Sequence, residues 1–290
     1  MVGRVWWSLG AGVAVVHQST LDRVVGAGLN RLSPCLPLGT LGLIGRRDAL
    51  SEHLKEVFEN SQQTYGSRRL RAALRQEGIR CGRGRIVRLM RQAGLAVLLK
   101  RRRVLTTTAN PREAYGENKL ARDFSATGPN QKWLVDITDV ATDEGYLYLA
   151  AVLDLFSRNI VGWAMDDNLR DELTQSALRM ALLTRAPEPG LLRHSDRGSQ
   201  YTSAEYCALF EEAGIQVSLS RAHNCFDNAP MESFGGKLKT ECLSRYHFKT
   251  RAQARTTIFA YLEGFFNRQR LHSPLNYQSP ALFELACWTK

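Results

Sequence analysis

A 290-residue chain that is 44% hydrophobic and 23% charged has the composition of an ordinary soluble globular protein, with room for one large or two small domains. Its net charge of +11 is concentrated: of 39 basic residues, 13 lie between Tyr65 and Arg103 beside a single acid, Glu77, while the rest of the chain holds 26 basic against 27 acidic residues. A single block of that sign points to a polyanion, most simply nucleic acid. The six cysteines include no C-x-x-C pair, as expected for reduced, mostly buried thiols in a cytoplasmic protein. His223, Cys225, Cys242 and His247 are spaced unlike any usual zinc finger, so no structural zinc is expected.

Residues 1–45 hold eight glycines and one acid, Asp22. Their apolar run "VWWSLGAGVAVV" is shorter than the ~20 residues a bilayer span needs. It faintly resembles a signal peptide, yet nothing downstream looks secreted, and the segment reads as a disordered or non-native extension. From 46 to 99 the pattern is helical. Leu50, Leu54, Val57 and Phe58 form one stripe. "YGSRRLRAALRQEG" and "GRGRIVRLMRQAG" follow as two short helices ending at Gly78 and Gly94. Leu70, Leu74, Ile86, Leu89 and Met90 supply a small core. The surrounding arginines, among them Arg68, Arg69, Arg83, Arg85 and Arg88, make a helix-turn-helix-like DNA-binding region the better reading than a hairpin that only packs on its neighbour. Residues 100–130 read as a basic linker without periodicity.

Beyond 131, strands alternate with helices. "WLVDITDV", "YLYLAAVLDLF" and "NIVGWAM" predict an antiparallel meander. A helix over 171–184, a strand ending at Asp196, a helix over 203–213, a strand over 215–220, a helix from Ala229 and a long helix over 250–268 complete an α/β mixed sheet with flanking helices. Period two puts Leu134, Asp136, Thr138 and Val140 on one face and Trp133, Val135, Ile137 and Asp139 on the other. An acid in mid-strand is costly unless paired or bound to a cation, but spacing leaves Asp136, Asp139 and Asp154 open. Asp227 or Asn228 is expected to cap the helix from Ala229, with Pro230 in its first turn. Glu232 then lies in that turn, with Gly235, Gly236 and Lys239 on its face. Acids from a strand, a strand tip and a helix could converge on divalent cations, which take carboxylate oxygens and act on phosphodiesters. Lys239 could hold a DNA phosphate beside them.

"WLVDITDV", "LYLAAVLDLFSRNIVGWAM", "HSDRGSQYTS" and "NCFDNAPMESFGGKLKTE" together resemble the integrase-like core of bacterial insertion-sequence transposases of the IS-three type. "YGSRRLRAALRQEGIRCGRGRIVRLMRQAGL" is similar to the helical region that precedes that core, and "FNRQRLHSPLNYQSPALFE" to the family's C-terminal signature. The resemblance runs over about 48–285. It implies an RNase H-like (retroviral integrase-type) core over 131–285, with an Asp-Asp-Glu triad at Asp136, Asp196 and Glu232. The triad would bind two Mg²⁺, with Mn²⁺ as substitute, and 35 residues separate its last two acids. The implied chemistry is nicking at the element's ends followed by strand transfer. The implied partners are element-end and target DNA, further copies of the chain on that DNA, and the product of the element's first reading frame. Lys239 matches the family's basic residue seven positions after the glutamate. The chain departs from the motif at Gly235, usually aromatic, and at Lys237, usually small and polar. Glycine within a helix costs up to about 1 kcal/mol relative to alanine, and a DNA-binding remnant without turnover is the alternative reading.

Overall fold

The computed structural model describes residues 43–97, 117–196, 210–211, 213–221 and 225–288. The 1–42 extension, most of the basic linker, most of the helix expected over 203–213 and His223 lie outside the described residues.

Helix α1 (Leu43–Asn60) buries Leu50, Leu54, Val57 and Phe58, the stripe expected from their spacing. Helices α2 (Ser67–Gln76) and α3 (Arg83–Gln92) form the basic hairpin around Leu70, Leu74, Ile86 and Leu89. Gly78 (φ +81°) and Gly94 (φ +65°) stand just past the two helix ends in the left-handed region that glycine enters without a Cβ clash.

The sheet comprises β1 (Lys132–Thr142), β2 (Gly145–Asp154), β3 (Ile160–Asp166), β4 (Leu192–Ser195) and β5 (Gln216–Leu219), in spatial order β3-β2-β1-β4-β5. β1–β3 pair antiparallel, and β4 and β5 add on parallel to β1. Trp133 and Val135 point to the face covered by α4 (Asp171–Arg185), where Leu173, Ala177, Leu178 and Ala181 complete the core. The approach is close at Gly162, where a Cβ would stand 2.3 Å from the Ala177 carbonyl oxygen.

The opposite face receives α5 (Ala229–Glu241). It is helical straight through Gly235 and Gly236 and buries Met231, Phe234 and Leu238. Helix α6 (Arg251–Phe259), capped by the Thr250 side chain accepting from the Gln253 N–H, was expected to run regularly to 268. Instead Ala260–Phe266 widens into a π-helical segment that buries Tyr261, Leu262, Phe265 and Phe266. Phe266 packs edge-on against Phe234 of α5, with ring centroids 5.1 Å apart. Helix α7 (Pro280–Trp288) follows. Five strands in this order, mixed in direction and covered by helices, form an RNase H-like fold.

Two segments outside the sheet are docked. Tyr65, ahead of α2, donates its hydroxyl to the Gln269 carbonyl (3.1 Å) and accepts from the Leu271 N–H (2.7 Å). Residues 117–130, expected as the end of the linker, lie along the core: Leu120 is buried and its N–H donates to the Ser218 hydroxyl. Among the described residues no helix is long and apolar enough to cross a membrane.

Candidate catalytic face and basic hairpin

The three aspartates that spacing left open have different surroundings. Asp154 is fully buried and accepts from the Ser157 N–H and hydroxyl and from the Asn130 N–H, so it anchors the turn after β2. Asp139, nearer the end of β1, pairs with Lys239 at 3.4 Å. Asp136 lies mid-strand, and one carboxylate oxygen accepts from the Ile137 N–H at 2.9 Å. Its carboxyl is pushed up to about 8, first by burial and then by the negative charges of Asp196 and Glu232; Lys239 acts the other way.

The fold explains why these groups meet. β4 runs parallel to β1 in a register that pairs Trp133 with Arg193 and Leu134 with His194. Continued two residues past its last pair, that register points Asp196, just past the tip of β4, toward Asp136, whose carboxyl feels the Asp196 charge. Helix α5 crosses the Asp136 face: a Cβ at Gly235 would stand 3.5 Å from the Thr138 hydroxyl, an ordinary contact, so space there does not require glycine. Asp196 and Glu232 are exposed while Asp136 is partly buried. Among the described residues no group of three or more metal-binding side chains is gathered closely enough to hold an ion as it stands.

β4 and β5 are stitched beneath this face by His194. Its Nδ1 bonds the Ser218 hydroxyl and its Nε2 the Ser220 hydroxyl, both at 2.9 Å. Burial, then the nearby Arg193, lowers this imidazole to about 4.

The entry to α5 is built differently from expectation. Asn228 occupies the N-cap position, yet neither it nor Asp227 caps the helix through its side chain. Asn228 instead donates to the Val135 carbonyl (3.3 Å), one residue before Asp136. Asp227, fully buried, accepts from Asn118, from Arg122 and from the backbone and guanidinium of Arg221. Hydrogen bonds from Arg221, joined by those of Arg122, hold this carboxyl well below the usual range. The partners lie 105–109 residues upstream and six residues upstream, so local spacing could not separate this clamp from a cap.

On the hairpin, Arg68, Arg83, Arg85 and Arg88 are exposed, as are Arg71, Arg75, Arg80 and Arg91. Arg69 stands apart from this surface. It is 24% exposed, lies 3.6 Å from Glu241 and is stacked over Tyr65. Glu241, at the end of α5, also receives two hydrogen bonds of 2.6 Å from Arg270 and one from the Tyr261 hydroxyl. Burial would raise the Glu241 carboxyl, but Arg270 and then Arg69 outweigh it and hold it below its ordinary value. Lys237, one of the two departures from the motif, belongs to this cluster and is pushed down to about 8 by burial and then by Arg270. This network escaped the sequence reading because its parts come from α2, α5 and the segment after the π-helical turns.

The Integrase core domain family matches residues 126–225, a second Integrase core domain description matches 213–280, and the HTH-like domain family matches 45–103. The chain is 45% identical over 236 residues, 81% of its own length and 87% of the relative's, to the uncharacterized 31 kDa protein of insertion element IS600 from Shigella sonnei. It is 39% identical over 245 residues, covering 83% of itself and 85% of the relative, to transposase InsF for insertion sequence IS3A of Escherichia coli K12. A solved simian T-cell lymphotropic virus intasome, in complex with the PP2A regulatory subunit B56 gamma, is similar at 15% identity and a TM-score of 0.47, over 74% of this chain and 70% of that one. The two Integrase core domain matches define an integrase-type protein. The chain belongs to the IS3 family of insertion-sequence transposases.

Proposed function

We propose that this transposase is a divalent-metal-dependent polynucleotidyl transferase that cuts DNA at its element's ends and joins the freed ends to target DNA. Asp136, Asp196 and Glu232 are its catalytic and metal-holding carboxylates. The observation that carries the reading is the mutual electrostatics of these acids. Burial and two like charges push this mid-strand carboxyl up to about 8 in spite of Lys239, and a hard cation with oxygen ligands would favour its ionised form. Bound there, Mg²⁺ or Mn²⁺, one ion or two, would polarise the scissile phosphate and lower the pKa of water.

The chain's own groups do the rest. The carboxylates fix the position of the phosphodiester relative to the strand tip. Lys239, on the same helix as Glu232, holds an adjacent phosphate by exchanging its Asp139 partner. Arg68, Arg83, Arg85 and Arg88 bind duplex backbone and bring the end to the core. Arg69 positions α2 against Glu241. In the first reaction water attacks phosphorus, the bond to the 3′ oxygen breaks, and a 3′-hydroxyl and a 5′-phosphate result. In the second, that hydroxyl attacks a target phosphodiester and releases a target 3′-hydroxyl, so phosphate esters are conserved without a covalent protein–DNA bond. Two ends and one target call for more than one copy of the chain on DNA, and the first-frame product of the element would help recognise those ends. The functional division follows these roles: the hairpin over 46–99 binds DNA, 100–130 links, and 131–285 carries the chemistry.

The test is nicking of duplexes carrying the element's terminal repeats in Mg²⁺ or Mn²⁺. Wild type is expected to nick and Asp196→Asn to bind without nicking. If both bind and nick equally poorly, the chain is a DNA-binding remnant and the catalytic reading fails.

A further inference from the structure

Lys237 stands one helical turn before Glu241, on the flank of α5 that meets Arg69 of the hairpin. At 3.6 residues per turn it lies about 140° around the helix from Glu232, off the catalytic face. Arg158 reaches the same place from the turn after β2. That turn is closed by the Arg158 N–H donating to the Asp154 carbonyl (2.8 Å) and the Asp154 N–H donating to the Asn159 carbonyl (2.9 Å). Asn267 ties it to the C-terminal segment, accepting from the Ile160 N–H (2.9 Å) and donating to the Ile160 carbonyl (3.0 Å). A few residues on, Arg270 pairs with Glu241. Four separate stretches of chain thus gather Arg69, Arg158, Lys237 and Arg270.

These cations outnumber their acids. Glu241 is bonded to Arg270 and to the Tyr261 hydroxyl, and Asp154 is bonded within its own turn. Among the described residues, neither the Lys237 ammonium nor the Arg158 guanidinium has a hydrogen-bond or ion-pair partner. Burial lowers the Lys237 ammonium, and Arg270, Arg69 and Arg158 lower it further against Glu241. Burial also lowers Arg158, outweighing Asp154. In the same cluster Arg270 Nη1 and His272 Nε2 are buried without a partner, in residues 1% and 3% exposed. Arg158 is held at φ +61°, where glycine would be less strained. A fork of guanidinium donors beside a lysine point charge suits a tetrahedral oxyanion. Lys237 and Arg158 are only half-buried, so such an anion can reach them.

We propose that Lys237 and Arg158 form a phosphate site that takes one backbone phosphate of the DNA held by the hairpin. Arg69 and Arg270 remain with Glu241 and add their field without touching DNA. The inference rests on the DNA-processing function proposed above and adds to it an anchoring subsite away from the catalytic acids. It also gives a role to the lysine at which the chain departs from the family motif.

Binding in the absence of divalent metal separates the two claims, since it requires no turnover. Fluorescence anisotropy would follow a terminal-repeat duplex over a range of KCl. Lys237→Gln and Arg158→Gln should each lower the slope of log affinity against log salt by about 1, evenly across DNA sequences. In duplexes that each carry one neutral methylphosphonate, wild type should lose about tenfold at a position where Lys237→Gln loses nothing further. Lys237→Gln should melt at or above wild type, because it removes a charge that its neighbours repel. The site is refuted if both variants keep the wild-type salt slope. It is also refuted if Lys237→Gln melts well below wild type, which would reveal a partner within the fold. Inorganic phosphate tests the other source of the same chemistry. At matched ionic strength it should shift the melting of wild type and Lys237→Gln alike; stabilisation of wild type alone, with unchanged salt slopes, would assign the site to free phosphate and overturn the DNA contact. Binding with the expected slopes but no nicking by wild type refutes the catalytic reading alone. No binding by wild type refutes both.

Discussion

The two ends of α5 hold acids under opposite conditions. In its first turn Glu232 shares an electrostatic neighbourhood with Asp136 and Asp196, and the Asp136 carboxyl is pushed up to about 8. In its last turn Glu241 sits among Arg270, Arg69 and the Tyr261 hydroxyl, and its carboxyl is held down. At one end like charges raise the Asp136 carboxyl despite Lys239; at the other, cations outweigh burial and hold the Glu241 carboxyl down. Acids that only hold the structure together are neutralised within the chain, as Asp227 also is. An acid whose ionised form its surroundings disfavour is a candidate functional group, kept at some expense of stability.

The largest expected effect falls on the acid-rich end. Asp136→Asn should lower nicking by about a thousandfold or more, equivalent to about 4 kcal/mol of barrier. It should not lower, and is expected to raise, the metal-free melting temperature, because folding no longer has to protonate a carboxyl whose ionised form its surroundings disfavour. Mg²⁺ should then raise the melting temperature of wild type but not of the variant, by mass action on the folded state. A variant that melts well below wild type without metal would show that the acid is compensated after all.

Breaking the compensated end should do the reverse. Glu241→Gln leaves Arg270, Lys237 and Arg69 facing one another, and removal of one partner from a buried pair costs about 3–5 kcal/mol. Denaturant unfolding should register a loss of that order. A loss below about 1 kcal/mol would mean that solvent already screens the cluster.

The same cluster predicts a pH response. Burial, then Arg270, Lys237 and Arg69, pushes the His272 imidazole down to about 2. The unfolded chain takes up that proton near the ordinary value of about 6.5, whereas the folded chain stays neutral. Stability from this group is therefore complete above about 6.5 and declines as pH falls toward about 2, by up to about 1.4 kcal/mol per pH unit. His272→Gln should flatten the dependence of the urea midpoint on pH between 6 and 4; unchanged slopes would remove His272 from the account.

The smallest effect separates two arginines that look alike in sequence. Arg83→Ala should reduce the slope of log affinity against log salt by about 1, evenly across DNA sequences. Arg69→Ala should leave that slope unchanged and lower the melting temperature instead. Equal slopes for the two variants would return Arg69 to the DNA-facing set.

Much of this was legible before any coordinates. The period-two run in "WLVDITDV" assigned Trp133 and Val135 to one face and Asp136 to the other, and the leucine spacing marked the hairpin, because both signals are local. The choice among Asp136, Asp139 and Asp154 came from family resemblance. Spacing contains no information on the β1–β4 register that points Asp196 toward Asp136, nor on the turn that consumes Asp154. Arg69 was indistinguishable from its neighbours because its partner lies on α5, and Asp227 passed for a cap because its clamp draws on a strand end and a distant loop. The π-helical turns have no composition of their own; they arise where four large side chains share one interior.

The hydroxyl of Tyr65 bonds groups 204 and 206 residues further along the chain. At synthesis rates of about 5–20 residues per second, the hairpin waits roughly 10–40 seconds for its seat to be made. The sheet can close around Trp133 and Val135 before then. Seating the hairpin is therefore a late act in assembly, and a ribosome that stops before Gln269 would release a chain whose basic helices have never been aligned with the face they serve.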